Sequence, residues 1–155
     1  MTLYFLVKYL HVAGAIVILG TGSGIAFFML MAHRSGHADF IARTASTVVL
    51  ADMLFTLTAV LLQPVSGGLL MMLSSTTLAE GWLVASLVLY AVAGLFWIPV
   101  LFMQIEMRDL ARKAEAAGQP LPPRYFVLFR RWVGCGFPGF GAVIVILWLM
   151  IAKPF

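Results

Sequence analysis

Two ionisable residues, Lys8 and His11, stand three residues apart near the start of a long apolar segment. Residues at this spacing lie on the same face of a helix, so the two side chains should be neighbours. Ionisable groups at membrane depth are costly, and a functional site is the first hypothesis where they occur. A neutral imidazole in an apolar bundle is a suitable axial ligand for haem iron, and a nearby cation suits a haem propionate. The pair therefore predicts a haem site with His11 as the iron ligand and Lys8 on a propionate.

The same pair also has a structural interpretation. His11 can hydrogen-bond to a neighbouring helix, while Lys8 extends its charge to the outer headgroups. The small residues Gly14, Ala15 and Gly22 continue the face of His11 and would leave room for a flat macrocycle. Residue types alone leave both interpretations open.

The composition places these residues in a membrane. Of 155 residues, 63% are hydrophobic and 10% are charged, against about 25% charged in soluble domains. The single cysteine, Cys135, excludes an internal disulfide and a covalently attached c-type haem. The net charge of +4 is interpreted as a signal of membrane topology, with no nucleic-acid partner.

Four apolar segments are long enough to cross a bilayer. They cover residues of about 3–32, 44–73, 82–107 and 125–152. These segments predict one all-α domain over residues 1–155, an integral membrane four-helix bundle. Kinks are expected near Pro64, Pro99 and Pro138. The third segment should continue as an amphipathic helix as far as Gly118, because its charges are spaced for pairing along a helix.

The basic residues predict the orientation of the bundle. Of the ten lysines and arginines, only Lys8 and Lys153 lie on the side of the two termini. The other eight lie at the two connections on the opposite side: Arg34, Arg43, Arg108, Arg112, Lys113, Arg124, Arg130 and Arg131. Because basic connections stay in the cytoplasm, both termini should face outward from a bacterial inner membrane.

This topology allows depths in the membrane to be compared. His11 should lie about 12 Å from the outer end of the first helix. Gln63 and Tyr90 fall at similar depth, so both are predicted to line the pocket of His11 as hydrogen-bonding groups. Pro64 should free a backbone carbonyl at the depth of Thr58–Val60, where it could line a cavity or merely kink the helix.

Asp52 lies deeper in the second segment, towards the cytoplasmic side. It could relay protons, or it could form an ion pair with Arg43, Arg130 or Arg131. The ion pair is the favoured interpretation.

The whole chain resembles a bacterial family of predicted integral membrane proteins of unknown function, of the DUF2269 type. The similarity is carried by the motifs Val7-Lys8-Tyr-Leu-His11-Val, Leu62-Gln63-Pro64, Trp97-Ile-Pro99 and Leu121-Pro-Pro-Arg-Tyr125. This resemblance implies a four-span fold and no particular activity.

More remotely, the pair Lys8 and His11 resembles the first helix of HemJ-type protoporphyrinogen oxidases and of CopD-type copper-resistance membrane proteins. The HemJ-type resemblance implies haem b on His11. Those enzymes carry Trp-Gly and then an arginine later in helix one, where this chain has Leu19-Gly20 and only Arg34. The third segment also lacks an intramembrane lysine.

The leading hypothesis is a haem-b-binding membrane protein that acts in electron transfer or in oxidation of a lipid-soluble or porphyrin-like substrate. As an enzyme it would be a membrane oxidoreductase of HemJ-like type. The second axial ligand could be a methionine or a second His11 from the other subunit of a homodimer, or the position could be open. One alternative is a copper-handling or transport protein that uses His11, Gln63 and methionines as ligands. Another is a non-catalytic assembly subunit whose glycine-rich helices bind a partner.

Overall fold

The computed structural model describes residues 2–154, and it is built from four long helices. These are α1 (Thr2–Ser35), α2 (Ala38–Leu73), α3 (Gly81–Ala117) and α4 (Pro123–Ala152), each long and apolar enough to cross a membrane. The 37 residues of α3 extend about 55 Å at 1.5 Å per residue, well beyond the hydrocarbon core of about 30 Å. The predicted all-α membrane bundle is confirmed. The predicted domain, 1–155, also includes Met1 and Phe155, which lie outside the described residues.

The first connection is shorter than the sequence suggests. Arg34, predicted to lie in the connection, forms the last turn of α1 together with His33 instead. Only Gly36 and His37 separate α1 from α2. Gly36 has a φ of +71°, which a residue without a side chain adopts at little cost, so the chain can reverse within two residues.

The second helix contains a π-helical turn at Asp52–Thr56, between α-helical segments Ala38–Ala51 and Leu57–Leu73. Such turns widen a helix locally and are frequent at functional sites. Pro64 lies in the second α-helical segment, and Pro99 and Pro138 lie inside α3 and α4, which continue through them.

The bundle has two different ends. The end that carries the α1–α2 turn and the α3–α4 connection is called the basic end, and the other is called the terminal end. The larger core lies towards the basic end and draws on all four helices, with Met29, Ile41, Met107 and Tyr125 fully buried. A smaller cluster around Trp82 joins α3 to α4 near the terminal end.

The helices also diverge along their length. The first half of α2 packs closely against α3, whereas its second half packs mainly against α1. Towards the terminal end, the pair α1–α2 therefore separates from the pair α3–α4. Large apolar side chains cover the outer surface, and Phe137 and Ile151 are each 75% exposed, as expected of residues in contact with lipid.

Candidate functional site: a histidine at the terminal end and a buried carboxyl at the basic end

His11 is held by the second half of α2. Its Nδ1 lies 2.8 Å from the hydroxyl oxygen of Ser66, which is only 3% exposed. The Ser66 hydroxyl has one proton, and it donates that proton to the carbonyl of Leu62 at 2.7 Å. With that proton donated to Leu62, the Ser66 oxygen is free to accept from His11, and we assign the neutral imidazole the tautomer with its proton on Nδ1. The Nε2 atom of His11 consequently carries the free lone pair.

Gln63 fixes the backbone beside this imidazole. Its Nε2 donates to the carbonyl oxygen of His11 at 2.9 Å. Gly14 makes this contact possible, since a Cβ at residue 14 would lie 2.6 Å from that Nε2. The predicted pair of His11 and Gln63 is therefore brought together by direct contact between α1 and α2.

The glycine face of α1 is filled by protein. The space at Gly14 is occupied by the Gln63 amide, and a Cβ at Gly22 would lie 3.3 Å from the ring of Phe140. The expectation that these glycines leave room for a macrocycle is wrong, because they allow α2 and α4 to approach α1. Small residues serve the same purpose in many membrane bundles.

Lys8 lies at the edge of the site. Its side chain is exposed, and Nζ lies 5.8 Å from the centre of the Tyr4 ring. At the same end of the bundle, Lys153 lies 5.0 Å from the Trp82 ring. Both lysines thus combine a cation with an aromatic ring, the pairing expected at a membrane interface.

Tyr90 satisfies the carbonyl that Pro64 frees. Proline has no N–H, so the carbonyl four residues earlier, that of Val60, lacks its usual helical partner. The Tyr90 hydroxyl donates to this oxygen from α3. The predicted free carbonyl is confirmed, and Tyr90 joins the two helix pairs where their backbones diverge.

Tyr90→Phe should destabilise the bundle by about 1 kcal/mol, because the Val60 carbonyl then loses its partner. The loss should be smaller in a Pro64→Ala background, in which the new backbone N–H can reach that carbonyl. Unfolding of the four variants in mixed micelles measures this double-mutant cycle. Equal losses in both backgrounds would contradict the assigned role of the hydroxyl.

A second polar cluster surrounds Asp52 in the π-helical turn. Asp52 is 2% exposed and Gln104 of α3 is 1% exposed. The Trp132 indole is a donor only, so the Gln104 amide must present its oxygen to it. In that orientation the Gln104 oxygen accepts from Trp132 at 3.1 Å, and its nitrogen donates to Asp52 Oδ2 at 2.9 Å. Trp97 donates to Asp52 Oδ1 over a longer distance, 3.5 Å.

The favoured ion pair between Asp52 and an arginine is wrong. Arg43 pairs with Asp39 at 4.0 Å, and Arg130 and Arg131 are exposed. The Asp52 side chain cannot pair with these arginines because it points into the bundle towards α3, whereas the arginines point outward at the basic end.

The network of Asp52, Gln104, Trp97 and Trp132 was not predicted as a unit. A signal was present, since Trp97 and Gln104 are seven residues apart and therefore share one face of α3. The rotation of α2 and α4 about their axes could not be inferred from the sequence, and this rotation decides whether Asp52 and Trp132 meet that face of α3.

A third cluster lies at the basic end around His33. Its ring stacks on Phe129 with 3.6 Å between ring centres, and Tyr125 lies beside both. The Nδ1 of His33 and the hydroxyl of Tyr125 are buried and have no hydrogen-bond partner among the described residues. Within residues 2–154, no group of three or more His, Cys, Asp or Glu side chains is arranged to hold a metal ion.

Comparisons with known proteins identify the family. The family model described as "Predicted integral membrane protein (DUF2269)" matches residues 5–154. No curated protein and no solved structure matches the chain. The match covers nearly the whole chain and agrees with the four helices of the structure. The chain therefore belongs to the DUF2269 family of predicted integral membrane proteins.

Proposed function

We propose that this membrane protein binds haem b through Nε2 of His11 and acts in electron transfer or in oxidation of a lipid-soluble or porphyrin-like substrate. The observation that carries the proposal is the Ser66 contact, which leaves the lone pair of His11 on Nε2. A histidine that ligates a metal commonly donates its other ring N–H to a fixed acceptor, which sets its tautomer and orientation.

The neighbouring residues of α2 hold the His11 imidazole in position for this role. Gln63 fixes the α1 backbone at His11, and a Cβ at Gly67 would lie 3.4 Å from His11 Cε1, so glycine there lets α2 lie close to the ring. Lys8 would meet a propionate at the edge of the site, where its ammonium is exposed. A porphyrin supplies four of the iron ligands itself, so His11 need supply only one. The bound haem would contribute a redox-active iron.

The location of the site follows from the charge distribution. Eight basic residues at the basic end would keep that end in the cytoplasm of a bacterium. Both termini and the His11 site would then lie in the outer half of the inner membrane. Tyr90 and Gln63 would line the His11 pocket without donating a hydrogen bond to a ligand, because the side chains of both already donate to backbone carbonyls.

Besides a methionine, two arrangements could complete the coordination of a bound haem iron. In a homodimer, His11 of a second copy would complete a low-spin centre. In a monomer the position would be open to an exogenous ligand or substrate. Carbon monoxide binding to the reduced protein distinguishes them, because only an open position binds it readily.

The test is the visible spectrum of protein purified from cells supplied with a haem precursor. We expect a Soret band, and sharpened α and β bands after reduction if the centre is low-spin. His11→Ala should abolish the haem content, whereas His37→Ala, an exposed histidine in the α1–α2 turn, should retain it. Unchanged haem in folded His11→Ala protein overturns the proposal. Stoichiometric copper without porphyrin would favour the metal-handling alternative, and a colourless, metal-free protein that co-purifies with another membrane protein would favour the assembly subunit.

A further inference from the structure

The carboxyl of Asp52 is buried in the half of the bundle nearer the basic end, and the proposed haem chemistry does not use it. Its side chain projects from the π-helical turn of α2 towards Trp97 and Gln104 of α3, and the residue is 2% exposed. An isolated carboxylate is very costly to bury, and it usually becomes neutral or binds a cation. The question is what neutralises Asp52.

The hydrogen-bond directions show which oxygen is available. The indole of Trp132 can only donate, so the Gln104 oxygen faces it and the Gln104 nitrogen donates to Asp52 Oδ2 at 2.9 Å. Oδ2 therefore acts as an acceptor. Oδ1 has only the long contact of 3.5 Å with Trp97, which leaves it weakly bonded.

Thr56 supplies an unused partner beside the Asp52 carboxyl. It lies one turn after Asp52, and it is 5% exposed. Its hydroxyl faces the Asp52 carboxyl but has no completed hydrogen bond among the described residues. A hydroxyl oxygen in this position can accept a bond from a protonated carboxyl group.

The neighbouring helices bring no charge to this position. In sequence, α1 has no ionisable residue between His11 and His33, and α2 has none between Arg43 and Asp52 or from Met53 to its end. On α3 the ionisable residues on either side of the contact are Tyr90, bonded to Val60, and Glu106, paired with Arg124 at 2.8 Å.

On α4, the ionisable residues near Trp132 are the exposed Arg130 and Arg131 and the thiol of Cys135. Within residues 2–154, the groups bonded to the Asp52 carboxyl are thus the uncharged donors Trp97 and Gln104.

We propose that Asp52 is a proton-binding site in the interior of the bundle, with the proton on Oδ1 and Thr56 as its hydrogen-bond acceptor. The carboxylate takes the proton from water at the basic end, an O–H bond forms on Oδ1, and the negative charge is neutralised. Release reverses the same step. Gln104, held in one orientation by Trp132, keeps Oδ2 as the acceptor, so the proton has one defined position. This site is separate from His11 and stands whether or not haem binds there.

The experiment is infrared difference spectroscopy of the full chain in liposomes while the pH is changed. We expect a carbonyl band of a protonated carboxylic acid that grows at low pH and shifts in D₂O. The band should be absent from Asp52→Asn and present in Asp39→Asn, which changes an exposed carboxylate on the same helix. A titrating band of unchanged size in folded Asp52→Asn protein, or no such band in the wild type, overturns the proposal.

A second variant covers the case in which Asp52→Asn does not fold. Thr56→Val removes the acceptor, so the carbonyl band of the protonated acid should move to higher frequency, and an unchanged frequency contradicts the assigned position of the proton. Replacing Na⁺ by K⁺ at constant pH should leave the band unchanged. Displacement of the band by Na⁺ alone would overturn the proton in favour of a metal cation as the ligand.

Discussion

Gln104→Leu should destabilise the bundle by about 3 kcal/mol, the largest loss expected from a single polar residue in this chain. The substitution removes the donor to Asp52 Oδ2 and the acceptor of the Trp132 indole at once. Both groups remain buried, so each loses a partner that water cannot replace. The midpoint of unfolding in mixed micelles measures the loss.

The pair variant Asp52→Leu/Gln104→Leu should recover part of this loss, because the buried carboxyl that lacks its donor is then removed as well. Gln119→Leu is the matched control, since Gln119 is exposed in the α3–α4 connection, and its effect should stay within about 0.5 kcal/mol. If Gln104→Leu were as mild as this control, the amide would not hold the carboxyl as described.

If haem binds to His11 as proposed, Ser66→Ala should lower the affinity for haem by about 10- to 100-fold, the range seen when the outer hydrogen-bond partner of a ligating histidine is removed. Without the Ser66 oxygen, the His11 imidazole loses the contact that holds its proton on Nδ1. The ring can then rotate or change tautomer, so Nε2 is no longer held ready to bind iron. Titration of haem into the apoprotein, followed at the Soret band, measures the change.

Ser86→Ala is the matched control for Ser66→Ala. Ser86 is also buried and also donates its hydroxyl to the carbonyl four residues earlier, that of Trp82 at 2.8 Å. Both variants therefore remove the same kind of intrahelical bond, and only Ser66 contacts His11. Equal haem affinity in the two variants would show that the Ser66 contact does not prepare His11 as a ligand.

The number of helices, the all-α fold class and the membrane location could be predicted because they depend on local properties of the chain. Apolar segments of sufficient length must become helices in a bilayer, where every backbone polar group needs an internal partner. The free carbonyl before Pro64 could be predicted for a similar reason, since proline lacks an N–H in any helix. The bond of this carbonyl to Tyr90 also needed the tertiary structure, because the donor comes from α3.

The partners of His11 and Asp52 depended on how the helices are rotated about their axes and how deep each one sits. His11 meets Ser66 on α2, a residue with no distinguishing feature in the sequence, and Gly14 provides space for Gln63 instead of a ligand. The side chain of Asp52 turns towards Gln104 of α3 and away from the arginines, while the backbone of its π-helical turn packs mainly against α1. Periodicity defines the faces of one helix, but only packing against the other helices decides which faces meet.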